Sequence, residues 1–254
     1  LIIGITNSDY YSDPPVYASA TYVVFADAGG FPPNFALSGL NGSNGFKLSG
    51  IEGDGSGGAV FSAGDVNKDG YADLIVGATG VIGNYGGAYV VFGGSSFGAN
   101  FDLGGVDGAN GFLVAGAASG DSTGRAVSGA GDVNGDGYDD LILGAPEANS
   151  HGDSNSGASY VVFGGDDAYL DTLHGWTGFY VGGTRLDGTN GFRISGVDAD
   201  DGAGGSVSLG DVNGDGYGDM IVDAAGSYAN GPGSGATYVV FGGATGFNSS
   251  FDLS

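Results

Sequence analysis

Short apolar runs alternate with small or polar residues along this chain, and clusters of Gly, Asn, Asp and Ser break them every few positions. Tyr-Val-Val-Phe recurs at Tyr22–Phe25, Tyr89–Phe92, Tyr160–Phe163 and Tyr238–Phe241. A second run is rich in β-branched residues: Leu74–Val76, Leu141–Leu143 and Met220–Val222. A third begins at Phe46, Phe112 and Phe192, each after Asn-Gly. A fourth is built of small residues: Ala59–Ala63, Ala126–Ala130 and Ser206–Leu209. Runs this short, bounded by turn residues, predict strands. No stretch of useful length carries a helical period.

The four kinds of run recur in one order, so the internal repeat decides the fold. Each unit reads as small-residue strand, acidic loop, β-branched strand, Tyr-Val-Val-Phe strand and Phe-led strand. Four antiparallel strands repeated at this length predict an all-β fold, a β-propeller of four-stranded blades around a channel. The small-residue strand suits the crowded axis. Leu1-Ile2-Ile3-Gly4 matches Leu74–Gly77 and Leu141–Gly144, so the first unit starts after its loop. The end, Phe251-Asp252-Leu253, matches Phe101-Asp102-Leu103. The expectation is a single propeller region over 1–254, with repeats near 1–57 (no inner strand), 58–124, 125–204 and 205–254 (no outer strand). That makes about 3.5 units, fewer than a closed propeller holds. Either flanking sequence or another copy of the chain would complete the ring.

Three acidic segments carry the candidate chemistry. They read Asp65-Val-Asn67-Lys-Asp69-Gly70-Tyr71-Ala-Asp73, Asp132-Val-Asn134-Gly-Asp136-Gly137-Tyr138-Asp-Asp140 and Asp211-Val-Asn213-Gly-Asp215-Gly216-Tyr217-Gly-Asp219. Oxygen donors at alternating positions, followed by a glycine, suit a loop wrapped around a hard cation. The expected ligands are the side chains at positions 1, 3, 5 and 9 and the tyrosine carbonyl at position 7, with about three Ca2+ per chain. An EF-hand would place a bidentate acid at position 12 and a helix after it. Val76, Leu143 and Val222 stand there instead, inside predicted strands.

Composition narrows the setting. The chain has 254 residues and a formal net charge of −24 from 29 acids and 5 bases, a balance that repels nucleic acid and anionic membranes. Glycine numbers 58, yet 41% of residues are hydrophobic, which supports a packed core over disorder. Cysteine is absent, so neither disulfides nor thiol chemistry enter. No apolar run approaches the ~20 residues of a membrane span. Weak calcium sites fill outside cells, so a secreted or cell-surface protein is expected, and the Leu1 start reads as processing or a fragment.

These residues resemble the FG-GAP repeat of integrin α-chain β-propellers and their bacterial relatives. Asp132–Gly164, with Gly144-Ala145-Pro146, is the best copy. Gly57-Gly58, Thr123-Gly124 and Gly204-Gly205 stand where the family's Phe-Gly pair belongs. The resemblance implies a calcium-binding propeller that acts in adhesion or protein interaction, or as a structural module. It implies a protein or glycan partner at a cell surface or matrix and no enzyme activity.

The third unit carries an insertion with Tyr169, Leu170, His174, Trp176, Phe179 and Tyr180. Trp176, His174 and Tyr180 are candidate glycan or partner contacts, and a loop folded over a blade edge is the competing reading. The alternatives in function are a lectin-like, carbohydrate-binding propeller or the accessory domain of a carbohydrate-active enzyme. Two histidines and no cysteine make catalytic zinc unexpected. Asp54, Asp121 and Asp200, upstream of each loop, are read as turn residues with an extra ligand role as the rival.

Overall fold

The computed structural model describes residues 1–5, 19–26, 29–31, 34–129, 131–166, 170, 179–182, 185–228, 231, 234–244 and 246–253. The alternating runs form strands in the predicted order. The first unit contributes β1 (Ile2–Ile5), β2 (Ala20–Val24) and β3 (Gly45–Ser49). The second contributes β4 (Ser56–Gly64), β5 (Asp73–Ala78), β6 (Gly87–Val91), β7 (Asn100–Asp102) and β8 (Gly111–Ala115). The third contributes β9 (Ala126–Ser128), β10 (Leu141–Ala145), β11 (Ala158–Val162), β12 (Phe179–Tyr180) and β13 (Gly191–Ser195). The last contributes β14 (Val207–Gly210), β15 (Asp219–Ala224), β16 (Ala236–Val240) and β17 (Ser250–Asp252).

These make four sheets in the orders β1-β2-β3-β7, β4-β5-β6-β8-β12, β9-β10-β11-β13-β17 and β14-β15-β16. Sequential strands pair antiparallel, as in propeller blades. The first sheet has no strand inside β1 and the last none outside β16 among the described residues, so the sheets do not close a ring. The innermost strands frame an open cavity of about 450 Å³ lined by Gly4, Gly57, Ala59, Ala126, Gly205 and Val207, among others. Small residues leave that space.

The four-stranded expectation is incomplete. Each of the first three sheets takes a fifth or outermost strand from the following repeat. β7 pairs in parallel with β3, β12 with β8 and β17 with β13. Phe97, just ahead of β7, stacks on Phe46 of the first sheet with ring centroids 4.2 Å apart. Phe247 does the same on Phe192 at 4.6 Å. Each repeat therefore latches onto the blade before it. The insertion of the third repeat supplies β12 in this way, and Leu170 is buried in the core.

The core lies between sheets, not within one. Ile75, Val90 and Phe112 of the second blade pack with Leu141, Leu143 and Tyr160 of the third. Val161, Phe163 and Phe192 of the third pack with Met220, Val222 and Tyr238 of the fourth. Backbones approach closely at glycines of each interface. A Cβ on Gly77 would lie 2.1 Å from the Gly124 carbonyl, and one on Gly144 1.9 Å from that of Gly204. In the fourth sheet Asp223 stands at this position and accepts the Ser206 N–H. Among the described residues, no blade lies beyond that sheet. Val212, Val239 and Phe241 are 55%, 45% and 58% exposed, where Val133, Val161 and Phe163 are 0%, 0% and 4%.

Candidate cation loops

Each acidic segment links the inner strand of a blade to the next: β4 to β5, β9 to β10, β14 to β15. The three loops fold alike. The position-1 carboxylate turns back over the loop. Asp65 accepts the Asp69 and Gly70 N–H groups at 3.0 Å each. Asp132 accepts those of Gly135, Asp136 and Gly137, and Asp211 those of Gly214, Asp215 and Gly216. The position-3 amide oxygens of Asn67, Asn134 and Asn213 accept the position-5 N–H. The position-5 carboxylates of Asp69, Asp136 and Asp215 accept the N–H groups of Tyr71, Tyr138 and Tyr217. Gly70, Gly137 and Gly216 have φ of 91°, 90° and 94°, where a side chain would strain the backbone.

The ninth residue is different in kind. Asp73, Asp140 and Asp219 are fully buried. One oxygen of each accepts the N–H of position 2 (Val66, Val133, Val212). The other accepts a glycine N–H after the Tyr-Val-Val-Phe strand (Gly93, Gly164, Gly242). The ninth side chain thus pins the loop to its own blade. Burial pushes the Asp73 carboxyl up to about 7, against lowering bonds from Gly93 and Val66, and the Asp69 and Asp65 carboxylates raise it further. Asp140 is pushed to about 8 in the same way, with Asp136 and Asp132 adding repulsion.

The donor set fits a hard cation. It is all oxygen, and in the first two loops it converges enough for the carboxylates to repel. The Asp69, Asp136 and Asp215 oxygens each keep a lone pair, while one oxygen of Asp132 and one of Asp211 accepts two N–H groups. The ring is not drawn tight in this structure: among the described residues no group of three acidic, imidazole or thiol side chains is gathered closely enough to grip an ion. The sequence-predicted residues of each loop are therefore brought to one place, but as a hydrogen-bonded cradle.

The remaining candidates fall elsewhere. Tyr180 packs edge-on against Tyr85 at 6.3 Å, with the Arg185 guanidinium 5.6 Å from its ring. Trp176, His174 and Tyr169 lie outside the described residues. The buried turn carboxylates are Asp54, Asp121 and Asp201, so the third lies one residue after Asp200. Asp54 accepts the Ile51 and Ser56 N–H groups, a turn role. His151 pairs with Asp252 at 3.2 Å, tying a hairpin of the third blade to β17.

The sheets and loops define an all-β repeat protein with propeller-type blades. Comparison with family models agrees: residues 57–92 and 123–162 match the FG-GAP repeat. The two stretches cover the inner three strands and the acidic loop of the second and third blades. No match emerged against curated proteins.

Proposed function

We propose that this chain is a calcium-stabilised propeller module that acts outside the cell by holding rigid loops against a protein or glycan partner, in adhesion or assembly and not in catalysis. The observation that carries the reading is the threefold cradle: three loops present the same oxygen donors in the same conformation, around carboxylates that repel one another. A bound Ca2+ would supply the neutralising charge, held by Asp65, Asn67, Asp69, Asp73 and the Tyr71 carbonyl, and by the equivalent residues of the other loops. The chain's own part is to turn those oxygens inward and to pin each loop at the ninth carboxylate. Folded loops bind the ion better than an unfolded chain, so calcium stabilises the blades by mass action.

The charge of the chain supports the calcium reading, and one exposed face supports partner binding. The loops lie on a strongly acidic chain, where divalent ions reduce self-repulsion. The apolar outer face of the fourth sheet has the composition of a blade interface, and another copy of this chain is a source of cover for it. Melting curves test the reading: added calcium raises the melting temperature while magnesium does so weakly. An unchanged melt in calcium would remove its support.

A further inference from the structure

The three loops are alike inside and unlike where they meet. Asp139 fills the eighth position of the second loop, where the first and third loops have Ala72 and Gly218. Its N–H donates to the Asp65 carbonyl at 3.3 Å. Its carboxylate accepts the Asp65 N–H at 2.8 Å. One residue of the second loop thus holds both backbone groups of the first ligand position of the first loop. Asp139 itself lies between Tyr138 and Asp140, two ligand positions of its own loop. Lys68 adds a third tie, its ammonium 5.1 Å from the centroid of the Tyr138 ring.

The junction between the second and third loops has half of this arrangement. The Gly218 N–H donates to the Asp132 carbonyl at 2.7 Å. Glycine has no carboxylate to take the Asp132 N–H in return. Gly135 replaces Lys68 there, and the Tyr217 ring lies where its Cβ would be. The same fold therefore joins one pair of loops by a two-point clamp and the other by a single bond.

We propose that Asp139 is a positioning residue that couples the first two cation sites, so that filling either one orders the other, while the third site fills on its own. The proposal rests on the calcium reading above. Ordering Tyr138 and Asp140 fixes Asp139 between them, and the clamp then fixes Asp65. The ordering cost is shared, so the second ion meets a loop already set. Linkage makes the effect equal in both directions. The contrast with the third loop is internal to the molecule, which removes differences of solvent or preparation.

The test is a calcium titration of the full, isotope-labelled, EDTA-stripped chain, followed at the backbone amides of Gly70, Gly137 and Gly216. Gly70 and Gly137 should shift together with a slope steeper than a single site, and Gly216 separately with a single-site slope. Asp139→Gly, which copies the junction at Gly218, should split the Gly70 and Gly137 midpoints and weaken the first site about 5-fold or more. Asp139→Asn keeps an acceptor for the Asp65 N–H and should keep the coupling. Independent titration of Gly70 and Gly137 in the unaltered chain would overturn the proposal while leaving calcium binding intact. Loss of coupling in Asp139→Asn equal to that in Asp139→Gly would overturn the hydrogen-bond clamp. If no amide shifts, the calcium reading itself fails, and the coupling with it.

Discussion

The Asp140 carboxylate accepts the Val133 N–H at 2.7 Å, tying the ninth position of the loop to the second. Its other oxygen takes the Gly164 N–H at 2.9 Å, which ties the loop to the third strand of its blade. A buried acid in this position has two opposed effects. It satisfies two backbone donors, and it brings into the core a charge that its neighbours repel.

The pH dependence follows from that opposition. Asp73 and Asp140 have folded values of about 7 and about 8, above the ordinary 3.8. Between these limits the folded state holds more protons than the unfolded one. In the absence of calcium, their contribution to stability is complete below about pH 4 and is lost as pH rises through 7 to 8. Melting curves in EDTA at pH 5 and pH 8 should show the higher temperature at pH 5. Calcium requires the deprotonated form, so its stabilisation should grow over the same range. A calcium-free protein more stable at pH 8 than at pH 5 would contradict the assignment.

Replacement of Asp140 separates its two roles. Asp140→Ala leaves the Val133 and Gly164 N–H groups buried without acceptors, and should cost about 2–5 kcal/mol in chemical denaturation. Asp140→Asn resembles the protonated acid. It keeps one acceptor but turns its NH2 on the other N–H, so in EDTA it should cost less than Asp140→Ala, yet lose most of the rise that calcium gives. A full calcium response in Asp140→Asn would show that the ninth side chain holds the loop only.

Blade spacing has its own test. A methyl on Gly144 would meet the Gly204 carbonyl at 1.9 Å, so Gly144→Ala forces two blades apart. The expected loss is about 1–3 kcal/mol. Gly210→Ala, where nothing lies within 4 Å, should stay within about 0.5 kcal/mol. Equal effects at the two sites would mean that the interface yields freely.

Phe163 and Phe241 hold the same place in successive blades, at 4% and 58% exposure. Phe163→Ala should cost about 3–5 kcal/mol. Phe241→Ala should cost about as much only if another copy covers the fourth sheet, and light scattering should then report an oligomer of the unaltered chain. Near-neutral Phe241→Ala with a monomeric mass would rule out that partner.

Much of this arrangement could be read from the residues. Short apolar runs and repeated Asp-Gly turns mark strands and loops because both are local patterns. The outermost strands β7, β12 and β17 were not legible: each is two or three residues long, and its partner is a strand of the preceding repeat. Gly77 and Gly144 stand out in sequence only as part of a motif, since the carbonyls they approach belong to the next blade. Asp139 could not be singled out either. In so acidic a chain, an extra aspartate carries no signal until its carboxylate is found on the Asp65 N–H. Spacing marks the ninth positions as candidate ligands, but their anchoring of the backbone depends on burial that no spacing reveals.

Calorimetric titration of the EDTA-stripped chain tests whether the three cradles bind calcium. About three ions should bind per chain, with protons released near neutral pH as Asp73 and Asp140 ionise. No heat of binding, or a stoichiometry near zero, would make these loops hydrogen-bonded turns and nothing more.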